Sequence, residues 1–231
     1  MEIIKKYESA NEAVEHILRL SIAYLMKSIK MCNNSNGGMG ETFSEQLISK
    51  GYLEDLKNSQ QFYYKNVENN NNLFAAVFDI DDTLLFDAGE NARSIIPHKE
   101  IIFLLRRLKS LGFAVHLVTA RLDDAVTTKE TVQELRQLDI IYDSLTLAPQ
   151  KARSNLADVS KWKQQMRKQI AHELGCPIVL TVGDQWGDMV IINNDDQIDE
   201  LDDFHSAAEF PYAVVRPRDG VSLWGLKLPS Y

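Results

Sequence analysis

Residues 73–85 read LFAAVFDIDDTLL, and this stretch decides the fold. Its first half is an unbroken apolar run, which is typical of a strand buried on both faces of a parallel sheet. Three carboxylates, Asp79, Asp81 and Asp82, follow at once. Because an unpaired carboxylate is too costly to bury, we expect these side chains at the carboxyl edge of the sheet, where open α/β folds bind ligands.

Asp79 and Asp81 are predicted to converge on one point, since side chains two residues apart on a strand point the same way. Two like charges at such a distance repel each other unless a cation lies between them. Hard Mg²⁺, which prefers oxygen ligands, is the natural candidate. The opening strand therefore predicts a ligand site that contains a divalent metal ion.

The composition fits one α/β domain with an appendage, or two small domains, because 231 residues at 45% hydrophobic content can bury a substantial core. A formal net charge of -8 argues against a nucleic-acid binder. Cys32 and Cys176 are too few and too far apart for a disulfide framework or a zinc site. With a charged N-terminus and no apolar run near the ~20 residues of a membrane span, we expect a soluble, cytoplasmic protein without a membrane partner.

Strands and helices alternate after residue 73. Further strands are predicted over 113–118, 144–149 and 178–182 and near Tyr212, with helices over about 98–111, 124–138 and 162–174. Such alternation implies right-handed βαβ units, and so a three-layer Rossmann-like parallel sheet with helices on both faces. The segment 86–97 is too short for a large cap domain.

The first seventy residues show no recognisable chemistry. Apolar residues at helical spacing predict a helix over about 8–31 and a shorter one over about 44–56, and residues 67–72 are interpreted as a polar linker. We therefore treat 1–70 as a helical N-terminal extension. Packing on the main domain, covering a substrate and oligomerisation all stay open as its role.

Polar residues end three of the predicted strands: Asp79 with Asp81, then Thr119, then Asp184 with Asp188. The carboxyl ends of parallel strands share one edge of the sheet, so these side chains are expected to meet in one cleft. A helix that begins near Lys163 can add an ammonium group.

This order of groups resembles the haloacid dehalogenase (HAD) superfamily of phosphohydrolases, in four motifs over roughly residues 73–188. DxDxT appears as Asp79 to Thr83, the strand that ends in Thr appears as HLVTAR with Thr119, and GDxxxD appears as Gly183 to Asp188. The sequences GDQWGD and WKQQMRKQI are most similar to the acid phosphatase branch, with its class B bacterial and plant storage-protein relatives. Residues 71–231 would then be the catalytic domain.

The resemblance implies a Mg²⁺-dependent phosphomonoester hydrolase. Asp79 would be the nucleophile that forms an aspartyl-phosphate, and Asp81 the general acid that later serves as the base. The metal ligands would be the carboxylates of Asp79 and Asp184 and the backbone carbonyl of Asp81. Asp188 would bind the metal directly or through water, or would instead orient the lysine; a metal role is favoured.

Thr119 and a lysine would bind the substrate phosphate. Lys151, Lys161 and Lys163 compete for that role, and the family's aromatic-Lys-x-x-x-Arg pattern favours Lys163, with Lys161 as the alternative. Arg121 either contacts the substrate or forms a surface ion pair.

Two other functions stay open at this point: the protein could be a phosphotransferase, or a non-catalytic phosphate-binding protein on the same scaffold. We expect a small phosphorylated substrate. The residues do not identify the phosphoester or the oligomeric state.

Overall fold

The structure is a computed structural model, and it describes residues 2–34, 74–87, 95–174, 177–189, 212–217 and 221–229. The chain divides into two compact units, Met1–Ile17 with Asn72–Tyr231 and, separately, Leu18–Asn71. The helix predicted over 44–56 and the polar linker over 67–72 lie outside the described residues.

The elements alternate as the sequence predicts. In chain order they are β1 (Glu2–Tyr7), α1 (Ala10–Asn34), β2 (Ala75–Phe78), β3 (Leu85–Asp87), β4 (Ile95–Pro97), α2 (Lys99–Ser110), β5 (Ala114–Leu122), α3 (Ala125–Gln137), β6 (Ser144–Ala148), α4 (Leu156–Leu174), β7 (Ile178–Gly183), β8 (Tyr212–Arg216) and β9 (Ser222–Lys227). Short 3-10 turns cover Gln150–Ala152 and Trp186–Asp188.

Within the described residues, the central sheet has seven strands in the order β1-β8-β9-β7-β2-β5-β6. Five neighbours, from β9 to β6, run parallel to one another. At the other edge β8 is antiparallel to β9, and β1 is antiparallel to β8. The predicted α/β class with a mostly parallel sheet is therefore confirmed. The expected lack of a large cap stays a prediction, since residues 88–94, between β3 and β4, lie outside the described residues.

One segment of the proposed helical extension is a strand. Residues 2–7 form β1, which pairs with β8 from Tyr7 opposite Tyr212 to Glu2 opposite Arg216. The sequence EIIKKY gave no clear strand signal, because an edge strand has one neighbour and its charged residues can face water. The prediction of a helix over 8–31 corresponds to α1. The boundary between residues 70 and 71 stays a prediction.

The middle of the sheet is buried. All four residues of β2 and all six of β7 are shielded from water, although their side chains alternate between the two faces. Both faces are therefore covered where these strands cross the core. One of the covering clusters packs Ala75 and Val77 of β2 with Trp162 and Ile170 of α4. The carboxylates that follow β2 and β7 lie beyond the ends of these buried strands.

Asp124 caps the N-terminus of α3. Its side chain accepts hydrogen bonds from the backbone N–H groups of Val126 at 2.9 Å and Thr127 at 2.8 Å. The bond from Thr127 is the main cause of a lowered pKa at Asp124. The cap is therefore present at neutral pH and is lost as the pH falls through this lowered pKa.

Replacing Asp124 with Ala should lower the melting temperature by about 2–4 °C at neutral pH, because two N–H groups of the first turn lose their acceptor. Asp124→Asn is the matched control, since an Asn side chain also caps a helix. Thermal melts of both variants test this, and an Ala variant that melts with the parent would contradict it.

Among the described residues, no helix combines the length and the apolar character needed to cross a membrane. The expected cytoplasmic location stays a prediction.

Candidate active site

Three carboxylates meet at the carboxyl edge of the two central strands. Asp79 follows β2 and Asp184 follows β7, and the N–H of Asp79 donates to the carbonyl of Val182 at 3.0 Å, which aligns the two strand ends. Asp188, in the 3-10 turn Trp186–Asp188, places its carboxylate next to those of Asp79 and Asp184. One carboxylate oxygen from each of Asp79, Asp184 and Asp188 lies within 4.8 Å of the others, and all three residues are buried. This is a set of hard oxygen donors at a spacing that suits a divalent cation.

The electrostatics of the cluster show a deficit of positive charge. Burial raises the pKa of Asp79 well above its usual value; the Lys163 ammonium opposes this shift, and the neighbouring carboxylates reinforce it. Burial, together with the Asp188 carboxylate, raises the pKa of Asp184 to about 6. A divalent cation among these oxygens would favour their ionised forms, because a bound ion is the largest local charge in such a site. The residues therefore fit a divalent metal ion.

Lys163 projects from α4 into this cluster and is 4% exposed. Its Nζ lies 3.1 Å from Oδ1 of Asp79, and it donates a hydrogen bond to Oδ1 of Asp188. Burial lowers the pKa of Lys163, but the negative charges of Asp188 and Asp79 have the larger effect and raise it overall. The side chain is therefore charged at neutral pH. Of the competing lysines, Lys151 and Lys161 are both exposed to solvent.

A short turn holds Asp184 and Asp188 in place. The N–H of Gln185 donates to Oδ2 of Asp188 at 3.1 Å, and its side-chain amide donates to Oδ2 of Asp184 at 2.6 Å. Asp188 also lies directly over Gly183: a Cβ at this glycine would lie 2.5 Å from Cβ of Asp188 and closer still to its carboxylate. The first glycine of GDxxxD is therefore required by the close approach of the last aspartate.

We expect Gly183→Ala to lower kcat/KM by roughly 10²-fold or more, because the added methyl group must displace Asp188 from Lys163 and Gln185, and small misplacements at a reacting centre cost about that much. Gly187→Ala is the matched control in the same turn. There the nearest atom to the new methyl is Cβ of Ser160, at 3.2 Å, so a smaller effect is expected. Equal activities for the two variants would contradict this account of Gly183.

Asp81 does not join the three buried carboxylates. Its side chain is 53% exposed and faces Arg121, whose Nε lies 3.0 and 3.1 Å from the two carboxylate oxygens and whose Nη2 lies 2.7 Å from Oδ1. The expectation that Asp79 and Asp81 converge on one point assumed an extended strand. The strand ends at Phe78, and the chain turns after Ile80, whose carbonyl accepts hydrogen bonds from the N–H groups of Thr83 and Leu84. The alternation of side chains therefore does not continue to Asp81. Its role as a metal ligand through the backbone carbonyl stays a prediction.

Thr119 is placed beside Asp81. It is fully buried at the point where β5 passes the end of β2, and its hydroxyl is 3.5 Å from Oδ2 of Asp81. The structure therefore groups Thr119 with Asp81, whereas Asp184, Asp188 and Lys163 group with Asp79.

Arg121 forms an ion pair with Asp81 and also binds to helix α3. Besides Asp81 it contacts α3, where its Nη1 donates to Oγ1 of Thr131 at 3.0 Å and to Oε2 of Glu134 at 2.5 Å. Burial disfavours the charge of Arg121, but its hydrogen bonds to Asp81 and then Glu134 raise its pKa. Glu134 was not found from the sequence. Its position on α3 has no local signal, because only the fold brings it next to Arg121.

A mostly parallel sheet with an aspartate after β2 and an acidic turn after the neighbouring strand β7 is the arrangement that the sequence motifs predict for a HAD-type phosphohydrolase. The family model described as HAD superfamily, subfamily IIIB (acid phosphatase), matches residues 88–201. Over these residues the chain is thus similar to the acid phosphatases of HAD superfamily subfamily IIIB. The matched span contains Thr119, Lys163, Asp184 and Asp188 and begins after Asp79 and Asp81.

Among solved structures, a chain of the Pnkp1/Rnl/Hen1 RNA repair complex is similar to this one. The identity is 16%, the TM-score is 0.39, and the alignment covers 60% of this chain and 40% of that chain. This chain thus spans less than half the length of that one. No curated protein matches the chain.

Proposed function

We propose that the protein hydrolyses small phosphomonoesters through an aspartyl-phosphate on Asp79, with Mg²⁺ at the site formed by Asp79, Asp184 and Asp188. The observation that carries this proposal is the buried group of three carboxylates within 4.8 Å of one another, with the Lys163 ammonium against two of them. Carboxylate oxygens are hard ligands, and an all-oxygen set suits Mg²⁺ better than it suits zinc or copper. Bound Mg²⁺ would neutralise charge between a dianionic phosphate and the anionic nucleophile.

The first step forms a bond between a carboxylate oxygen of Asp79 and phosphorus and breaks the bond from phosphorus to the ester oxygen. Asp81 supplies the proton that the departing alkoxide takes up. Because Asp81 is half exposed and held by Arg121, it must turn towards the ester oxygen to do this. Lys163 orients Asp79, and the Thr119 hydroxyl is a donor for a phosphoryl oxygen.

The second step returns the enzyme to its starting state. Asp81, now ionised, accepts a proton from water while the water oxygen attacks phosphorus, and Asp79 leaves as a carboxylate. The products are inorganic phosphate and an alcohol. An added alcohol that replaced water in this step would instead give a new phosphoester, which is the phosphotransferase activity.

The test is phosphate release from nucleotides, sugar phosphates and phosphopeptides by metal-free protein, before and after Mg²⁺ is added. We expect release only with Mg²⁺, and free phosphate rather than a new ester when an alcohol is present. Transfer to the alcohol as the main product would favour the phosphotransferase. Binding of phosphate without turnover of any substrate would favour a non-catalytic role.

Binding of Mg²⁺ to the metal-free protein should weaken as the pH falls through about 6. The pKa of Asp184 is raised from its ordinary 3.8 to about 6, chiefly by burial, so a proton competes with the metal below that pH. One competing proton raises the Mg²⁺ dissociation constant by about tenfold per pH unit. Calorimetric titrations at several pH values measure this slope, and a dissociation constant that is flat across this range would contradict it.

A further inference from the structure

Lys227 is a second buried lysine near the site, and the mechanism above does not use it. It is the last residue of β9, it is 3% exposed, and it lies opposite Gly183 in the register of β9 with β7. The N–H of Leu228 donates to the carbonyl of Gly183 at 2.9 Å, which ties the ends of the two strands together. Lys227 thus lies next to the start of the turn that presents Asp184 and Asp188.

Among the residues that the structure describes, the neighbours of Lys227 only partly compensate its charge. Its ammonium donates to the backbone carbonyl of Leu228 and lies 5.4 Å from the centroid of the Trp186 ring. Neither a carbonyl nor an aromatic face carries a full negative charge, and burial lowers the pKa of Lys227 to about 8. The carboxylates of Asp184 and Asp188 act in the opposite direction and favour the ammonium. The negative charges of Asp184 and Asp188 thus stabilise the buried ammonium of Lys227.

Lys163 and Lys227 differ in how they meet the carboxylates. Lys163 contacts Asp79 and Asp188 directly, whereas the hydrogen bond of Lys227 goes to the backbone. Within the described part of the chain, two ammonium groups therefore oppose the three buried carboxylates. Because a divalent cation would have to enter a site that already holds both, each ammonium stabilises the metal-free cluster and repels the incoming metal.

We propose that Lys227 is a positioning residue that balances the charge of the Asp184–Asp188 turn and thereby sets how tightly the site binds Mg²⁺. This inference rests on the metal site proposed above. Lys227, at the end of β9, would change the affinity for Mg²⁺ through its charge, without being a ligand of the metal.

The experiment is a calorimetric titration of Mg²⁺ alone into metal-free protein at one neutral pH. Lys227→Met and Lys227→Gln both remove the charge, and Gln keeps a donor for the Leu228 carbonyl. We expect both variants to bind Mg²⁺ roughly two- to tenfold more tightly than the parent, since a repelling charge is gone. Their melting temperatures should be lower than that of the parent without metal, and the gap should narrow with saturating Mg²⁺. Lys227→Arg, which keeps the charge, should restore the parent affinity.

Lys161→Met is the matched control, because it removes the same charge from an exposed position on α4 and should leave Mg²⁺ affinity unchanged. The inference is overturned if both neutral variants bind Mg²⁺ no more tightly than the parent, or if Lys227→Arg behaves like Lys227→Met. Should the neutral variants fail to fold without metal, saturating Mg²⁺ must restore the fold, and failure to do so also overturns it.

The two proposals fail in different ways. A parent protein that binds no Mg²⁺ removes the metal site and this inference together. A parent that binds Mg²⁺ and variants that match it remove only the role of Lys227.

Discussion

Asp79→Asn should lower kcat by roughly 10³-fold or more while the protein stays folded. The amide has nearly the shape of the carboxylate, but it is a poor nucleophile and cannot form the acyl phosphate. The change also removes a buried carboxylate. Burial first, and the neighbouring carboxylates after it, raise the pKa of Asp79 and so disfavour its charge. The melting temperature of the metal-free protein should therefore equal or exceed that of the parent. The measurement is single-turnover phosphate release together with a thermal melt.

Asp82→Asn is the matched control for this variant. The same chemical change is made three residues along the chain, at a residue whose φ of 52° lies in the left-handed region. Asn is well tolerated there, so activity close to that of the parent is expected. If Asp79→Asn turns over substrate as fast as the parent, the covalent mechanism is wrong. Equal losses in both variants would indicate damage to the turn instead.

Lys163→Met should lower kcat/KM by about 10²–10³-fold, because the group that orients Asp79 and screens its charge is lost. The variant also leaves the carboxylates of Asp79 and Asp188 without the ammonium that now contacts both. Removing one partner from a buried ion pair costs about 3–5 kcal/mol of unfolding free energy. Urea denaturation should show this loss in metal-free protein, and a smaller loss with saturating Mg²⁺, which supplies positive charge to the same oxygens.

Lys161→Met controls for the general effect of losing a lysine from α4. Its side chain is exposed, and we expect little change in either stability or turnover. The assignment of Lys163 fails if the two variants have the same kinetics. A stability loss at Lys163 that Mg²⁺ does not reduce would argue that the metal binds elsewhere.

The strands, the helices and the acidic motifs could be predicted from the sequence because their signals are local. The run from Leu73 to Phe78 must be buried, so its carboxylates must follow the strand, and β2 ends at Phe78 with Asp79 next. The same reasoning placed Asp184 after β7. Lys163 was favoured by a pattern of neighbours, and the structure puts its ammonium against Asp79. Each of these inferences depends on a few adjacent residues and on the shared edge of parallel strands.

Only the tertiary structure decided which of the predicted site residues lie next to Asp79 and which lie next to Asp81. The direction of Asp81 depends on the turn after β2, and its partner Arg121 is 40 residues away in sequence. Pairing of β1 with β8 joins the two ends of the chain, and Lys227 meets the acidic turn only because β9 lies next to β7. An unbroken apolar run indicates that a strand is buried on both faces, but not which strand it pairs with, since backbone hydrogen bonds are the same for every neighbour. Burial and charge of the distant groups that pairing brings together then determine the electrostatics of the site.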